Sequence, residues 1–330
     1  MNVVLYNDHI KSANFGCKLV GNSLRILLKE KYPNANIIYK NSEYFSLVDQ
    51  GKQVKPDIII VNGEGSFGHH YKEPLGWKLL EDIKNHYKAP IYLVNVSIQT
   101  GNNKLSELQK ELLNRCSKIF TREKLSLDFL VEQGIEKAKV YPDAGCYFFK
   151  DSPEVEKDID IVFGGGSLFK MIELSSAKKY VEAFNELAEV GYKVHLVDFP
   201  GNIRGKPFPD VKVLNKYCSP KIEIHANGTF EDYFEVVKRA KLHVTGRHHG
   251  SIMSFMGRTP FITFQSNMWK TEGDQLLYGP FNSFDFKTIT TEELKLIVLD
   301  GLTKYRKWEA QLNKRYKELE PDFGAQILKI

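Results

Sequence analysis

The chain has 330 residues, 42% hydrophobic and 26% charged, the length of two ordinary domains and the composition of a soluble globular protein. Its net charge of +5 fits attraction to an acidic substrate or peripheral contact with an anionic membrane surface. Aromatic residues make up 12% without interleaving with a basic stripe, and no window approaches the ~20 apolar residues of a spanning helix, so neither nucleic-acid binding nor membrane insertion is expected.

Short apolar runs alternate with amphipathic stretches from the start. Strands are expected at Asn2–Tyr6, Ile37–Tyr39, Ile58–Val61, Ile91–Val96, Ile119-Phe120 and Lys139–Tyr141. Helices are expected at Lys18–Lys31, with apolar positions Leu19, Leu24, Ile26, Leu27 and Leu28, and at Leu75–Tyr87, Lys104–Cys116 and Leu125–Gln133. A charged stretch around Pro153 then marks a boundary, giving domains 1–150 and 151–330. Beyond it come strands Ile159–Phe163, Lys193–Val197, Leu242–Val244 and Pro260–Phe264, with helices Ala177–Val190, Phe230–Arg239 and Ser251–Met256 and a long C-terminal helical stretch, Leu294–Glu318. Such alternation predicts an α/β protein of two doubly wound, Rossmann-like domains facing each other across a cleft.

Four cysteines (Cys17, Cys116, Cys146, Cys218) are widely spaced with no CxxC pair, the usage of a cytosolic protein with reduced thiols. The first ten residues lack a signal-peptide pattern. No His, Cys or Asp spacing matches a metal site, so no metal and no cofactor is expected.

Chemistry is concentrated where strands turn into helices. Thr245-Gly246-Arg247-His248-His249-Gly250-Ser251 lies between a buried strand and a short apolar helix, at the carboxyl end of the sheet where α/β proteins bind ligands. Arg247 offers a bidentate fork to an anion, Gly250 and Ser251 open a helix whose N–H groups suit phosphate, and one of the two histidines can supply a proton. An arginine whose task is to pair a substrate anion should be removable without unfolding the chain. Lys270, in the loop after the next strand, adds a second cation. Three further glycine-marked segments invite a ligand backbone: Asn14-Phe15-Gly16, Asn62-Gly63-Glu64-Gly65 followed by His69-His70, and Gly164-Gly165-Gly166-Ser167 after the first strand of the second half. Glu64, between two glycines at a strand end, is a candidate general base. None of these segments matches GxGxxG or a Walker loop.

In this order the residues resemble the polysaccharide pyruvyl transferase family. The matching segments are Asn14-Phe15-Gly16, Asn62-Gly63-Glu64-Gly65, Arg122-Glu123-Lys124-Leu125-Ser126, Pro142-Asp143, Arg247-His248-His249 and Ser266-Asn267-Met268-Trp269-Lys270. Two positions depart from the family pattern: Cys17 stands where many members have an acid, and His248 where an apolar residue is usual, which makes His249 the family histidine. The resemblance implies a GT-B-like fold and transfer of the enolpyruvyl unit of phosphoenolpyruvate onto a sugar as a ketal. His249 would be the acid, Arg247 and Lys270 the donor's anion partners, and Glu64 the base for an acceptor hydroxyl. The acceptor would be a glycan or lipid-linked sugar of exopolysaccharide biosynthesis. A GT-B glycosyltransferase with a nucleotide-sugar donor would use the same cationic cluster, and a non-catalytic binder of anionic glycans would have no need of the Arg-x-His turn.

Overall fold

The computed structural model describes residues 1–41, 54–68, 75–166, 174–203, 206–208, 210–226, 228–266, 268–279 and 283–330. His69, His70, Ser167 and Asn267 lie outside them. Two compact units divide the chain: one comprises residues 1–11, 20–147 and 322–330, the other 12–19 and 148–321. Residues 12–19 thus belong with the later half of the chain and residues 322–330 with the earlier half.

In the first unit β1 (Asn2–Tyr6), α1 (Phe15–Lys31, of which residues 15–19 belong to the second unit), β2 (Asn36–Lys40), β3 (Ile58–Gly68), α2 (Leu75–His86), β4 (Ile91–Gln99), α3 (Glu107–Arg115), β5 (Cys116–Thr121), α4 (Lys124–Glu132) and β6 (Ala138–Val140) follow in turn. The strands form one parallel sheet in the order β2-β1-β3-β4-β5-β6. Parallel neighbours need crossovers, and crossover helices cover the sheet faces, so the central strands are continuous apolar runs with no polar alternation. Ile59, Ile60 and Val61 are accordingly all enclosed. On α1 the residues Val20, Leu24, Leu27 and Leu28 recur at helical spacing and are fully buried. Ile26, two positions from Leu24 and so on the far side of the helix, is 39% exposed, against expectation.

The second unit runs through β7 (Ile159–Gly166), α5 (Leu174–Glu189), β8 (Val194–Val197), β9 (Gly201–Ile203), β10 (Lys206–Phe208), α6 (Val211–Leu214), β11 (Glu223–His225), α7 (Phe230–Val237), β12 (Ala240–Gly246), α8 (His248–Met256), β13 (Phe261–Phe264), α9 (Lys270–Tyr278), β14 (Ser283–Phe284), α10 (Thr291–Thr303) and α11 (Tyr305–Leu319). Its parallel sheet has the order β11-β8-β7-β12-β13-β14, and β9 and β10 pair antiparallel apart from it. The stretch expected as one C-terminal helix is two, α10 and α11, separated at Lys304. The last helix, α12 (Ala325–Leu328), packs in the first unit, where the buried Gln326 side chain donates to Pro142 O at 2.7 Å and accepts the Asn95 N–H.

Each sheet has one place where the strand order reverses direction: between β1 and β3 in the first unit, and between β7 and β12 in the second. Connections leave in opposite directions there, which opens a crevice beyond the carboxyl ends of those strands. The chain places Asn62 and Glu64 at the first of these points, and Gly165, Gly166 and Arg247 at the second. Among the described residues no helix is long and apolar enough to cross a membrane. All four cysteines are free thiols, and burial pushes Cys116 up to about 12 and Cys218 up to about 11, so neither ionises near neutral pH.

Candidate active site

In the second unit, Arg247 is the residue that caps α8, with extended dihedrals of φ −100° and ψ 120°, and its side chain takes no part in the capping. His248 and His249 are therefore the first residues of α8, rather than a turn ahead of a helix beginning at Ser251. The backbone N–H groups of that first turn have no intrahelical acceptor, which is the property that draws anions to helix starts. Gly250 fits because a Cβ there would lie 2.6 Å from Thr245 Oγ1, and Ser251 is fully buried with its N–H on Arg247 O.

Arg247 is 6% exposed and its fork closes on Asp210, Nε to Oδ2 at 3.1 Å and Nη2 to Oδ1 at 2.5 Å. Asp210 is completely enclosed. Burial raises its carboxyl to about 6 even though the Arg247 charge opposes the shift, and the neighbouring Asp198 reinforces it. Gly165 explains how the acid fits, since a Cβ at that position would sit 2.2 Å from Asp210 Cγ. The glycine triplet is not the turn expected from sequence: Gly164–Gly166 is the end of β7 itself. Gly166 likewise makes room for Phe264, at 2.4 Å from a Cβ, and for Gly246 beside it. Phe199 lies under the guanidinium at 5.7 Å and meets Phe15 edge-on, with ring centroids 5.7 Å apart.

The two histidine rings meet edge to face, with centroids 4.8 Å apart, and have different neighbours. His248 Nδ1 lies 2.8 Å from Oδ2 of Asp274, a fully buried carboxylate on α9. His249 packs on Gly16: a Cβ at Gly16 would lie 2.0 Å from His249 Nδ1 and 2.3 Å from its Cγ. The Asn-x-Gly and Arg-x-His segments, more than two hundred residues apart in sequence, thus meet within one unit. Asn14 caps α1, its Oδ1 accepting the Cys17 N–H at 3.2 Å. Lys270 is the first residue of α9, one turn before Asp274, which sets it on the helix that the His248–Asp274 contact packs against α8. Because no side chain fits at position 16 without moving the imidazole, Gly16→Ala should lower turnover about 10²-fold, the order that a ~1 Å misplacement of a catalytic group costs. Steady-state rates with a parallel melting curve check this, and turnover within twofold of wild type would show the contact to be idle.

Beneath α8 lies a buried polar chain that sequence reading missed. His243 of β12 is fully enclosed, with Nδ1 2.6 Å from Ser254 Oγ and Nε2 3.1 Å from the Tyr233 hydroxyl. Ser254 donates its own proton to Gly250 O at 2.8 Å, so its oxygen accepts from His243 Nδ1–H and Tyr233 donates to Nε2. This fixes a neutral imidazole, and burial lowers its pKa to about 3. The unfolded chain takes this proton near 6.5 and the folded one does not, so this contribution to stability is whole above pH 6.5 and shrinks as the pH falls toward 3. At pH 5 the loss should be about 2 kcal/mol. Asp210, raised, changes stability in the opposite sense over pH 4 to 6 in both proteins, so the comparison to make is a difference: wild type should lose about 2 kcal/mol more than His243→Gln between pH 7 and pH 5 in urea unfolding. Identical pH slopes would contradict the neutral assignment.

The acidic glycine segment sits in the first unit. Instead of forming a loop after Val61, Asn62-Gly63-Glu64-Gly65 continues β3, which runs to Gly68 with a register shift between Glu64 and Phe67. Gly63 is required because a Cβ would lie 2.4 Å from Val96. Glu64 is a non-glycine residue at φ 39°, a conformation with a cost for any side chain bearing a Cβ. It is 5% exposed; Oε1 accepts from Asn62 Nδ2 at 2.9 Å and lies 2.9 Å from His9 Nδ1. Asn62 is held in turn by Asn7, whose Nδ2 donates to Asn62 O at 2.6 Å. His9 was not anticipated, although it closely follows a predicted strand. The Arg-Glu-x-x-Ser segment is an internal brace in the same unit: Arg122 donates to Ser97 Oγ at 2.9 Å and to Asp143 at 3.2 Å. Glu123 caps α4 by accepting the Ser126 N–H at 2.9 Å, and burial raises its carboxyl to about 7.

The chain has relatives of known structure and a matching family model. No curated protein sequence matches it. Among solved structures it is similar to the UDP-GlcNAc 2-epimerase of Methanocaldococcus jannaschii in complex with UDP-GlcNAc and UDP, at 15% identity and TM-score 0.61, covering 99% of this chain and 98% of that one. It is also similar to the UDP-GlcNAc 2-epimerase of Neisseria meningitidis bound to UDP-GlcNAc (10% identity, TM-score 0.60, 99% and 97% covered). A glycosyltransferase from Rickettsia africae gives 12% identity and TM-score 0.57, with 99% and 96% covered. At such identities these likenesses establish the fold, two Rossmann-like domains of the GT-B type. The model of the family described as polysaccharide pyruvyl transferase matches residues 14–267, a span that takes in the Asn14 cap, Gly16, Glu64 and the Arg247–His249 helix start. The chain belongs to the polysaccharide pyruvyl transferase family, and is a transferase.

Proposed function

We propose that the chain moves the pyruvyl unit of phosphoenolpyruvate onto a sugar of a surface polysaccharide or its precursor, in the cytosol and on a glycan or lipid-linked acceptor. The observation that carries this reading is the closure of Gly16 on His249 beside Arg247, at the strand-order reversal of the second unit. Phosphoenolpyruvate brings a carboxylate and a phosphate. Ketal formation begins with protonation of its methylene carbon and leaves a cationic centre at the neighbouring carbon, which two sugar oxygens capture as phosphate departs. His249 is the acid for that proton. Arg247 retains three N–H donors after Asp210 has taken two, and these, with Lys270 and the first-turn N–H groups of α8, suit the anion. Asp210 acts by aiming the guanidinium. Glu64, in its strained backbone at the other reversal point, is the base for the acceptor hydroxyl.

A second reading has support from the fold neighbours, whose structures hold UDP-GlcNAc or UDP: the same cations would suit the diphosphate of a nucleotide sugar. Incubating the protein with phosphoenolpyruvate and a pool of glycan acceptors, and following inorganic phosphate, tests the first reading. It predicts acceptor-dependent phosphate release, cut about 10²-fold or more in Glu64→Gln with donor affinity unchanged. Release of nucleoside diphosphate from a nucleotide sugar, with phosphoenolpyruvate untouched, would establish the second.

A further inference from the structure

Strands β8 and β11 run parallel at one edge of the second sheet, with Glu223 opposite His195 and His225 opposite Val197. Glu223 and His225 are two residues apart, so the alternation of a strand puts them on one face, and the pairing puts His195 on that same face. The three side chains converge. His195 Nδ1 lies 2.9 Å from His225 Nε2, His225 Nε2 lies 3.3 Å from Glu223 Oε1, and His195 Nε2 lies 3.5 Å from Glu223 Oε2. One ligand atom from each can be chosen so that all lie within 4.8 Å of one another. The imidazoles are nearly parallel, at 22° with centroids 5.0 Å apart, both presenting ring edges to the carboxylate.

From this geometry we infer that His195, Glu223 and His225 form a binding site for a divalent transition-metal ion such as zinc. Ligand atoms bonded at ~2.1 Å to one ion are about 3.0–3.4 Å apart; His225 Nε2 and Glu223 Oε1 stand at 3.3 Å, and a small ring rotation brings one His195 nitrogen, already within 4.8 Å of both, to the same spacing. Two imidazoles and a carboxylate are a donor set of borderline softness, which suits zinc, cobalt or nickel better than magnesium or calcium. His195 is almost fully buried while the Glu223 side chain is 63% exposed, so the trio is anchored at its base and open to solvent for ion entry and a water ligand. Arg239, whose charge acts on both histidines, is paired with Asp158, to which its Nε donates at 2.8 Å. The site lies level with the middle of the sheet, since His195 pairs with Val162 and Val162 with His243, and so lies away from the carboxyl-end crevice holding Arg247. An ion there would clamp the three-residue edge strand β11 onto β8. Sequence spacing alone does not reveal it, because the ligands come from two strands with a helix and a hairpin between them.

The test is a titration of the full chain, stripped with chelator and free of any affinity tag, with cobalt(II) followed by visible absorption, then zinc(II) by calorimetry. One equivalent should bind, raise the melting temperature and give the intense bands of low-coordinate cobalt. His225→Asn, at a half-exposed position that leaves the core intact, should weaken binding by at least the ~100-fold that loss of an outer-shell partner can already cost. Glu223→Gln should weaken it about tenfold or more by the same reasoning. Absence of stoichiometric cobalt binding, or undiminished binding in a folded His225→Asn/Glu223→Gln protein, would overturn the assignment.

Discussion

His249→Ala should retain its fold and lose about 10²–10⁴-fold in turnover, the range a positioned general acid contributes. His248→Ala should behave in the opposite way. His248 lies 2.8 Å from the buried Asp274 carboxylate, so truncating it breaks a buried pair and should cost about 3–5 kcal/mol of stability, with a smaller effect on the rate of molecules that remain folded. His249 packs against Gly16, where a Cβ would lie 2.0 Å from its Nδ1. Single-turnover rates and urea unfolding on both variants separate the roles. Equal rate losses with equal stability losses would mean that the family register assigns the wrong histidine.

Arg247→Ala should also be destabilising, by about 3–5 kcal/mol, because Asp210 is fully enclosed and keeps only weak compensation once the guanidinium is gone. The sequence alone led to a different expectation, a variant with an intact fold, since it showed the arginine and not its acid. Adding Asp210→Asn should return most of the lost stability, as the buried charge is then absent from both sides of the pair. Donor affinity should stay low in the double variant, by about 2–5 kcal/mol, if Arg247 also holds the substrate anion. Recovery of stability together with affinity would reduce the arginine to a structural partner of Asp210. Donor calorimetry beside denaturant unfolding on the four proteins of the cycle provides both readings.

The alternating layout was legible because parallel strands covered on both faces leave plain apolar runs, such as Ile58–Val61 and Ile159–Phe163, and crossover helices leave a helical period. The placement of Arg247 between a buried strand and a short helix was legible too, since the apolar runs on either side of it are plain. What could not be read was who meets whom. Asp210 lies in a polar stretch with no periodicity, and only the tertiary fold drops it onto Gly165 and Arg247. Asp274 reads as an ordinary helical acid until α9 packs on α8. Gly63, Gly165 and Gly166 read as loops in sequence, yet each lies within a strand and makes room for a neighbouring protein side chain, Val96, Asp210 or Phe264. A missing Cβ marks close approach, and sequence does not say whether substrate or protein approaches. Asn14, whose side chain caps α1, illustrates the related ambiguity of a residue type that serves caps and ligands equally well.

The most direct measurement is calorimetric titration of the wild-type chain with phosphoenolpyruvate, repeated with UDP-GlcNAc and on the Arg247→Ala/Asp210→Asn protein. Saturable binding of phosphoenolpyruvate that disappears in the double variant is the predicted result. Tight binding of UDP-GlcNAc with no heat from phosphoenolpyruvate would contradict it and assign the Arg247–His249 site to a nucleotide sugar.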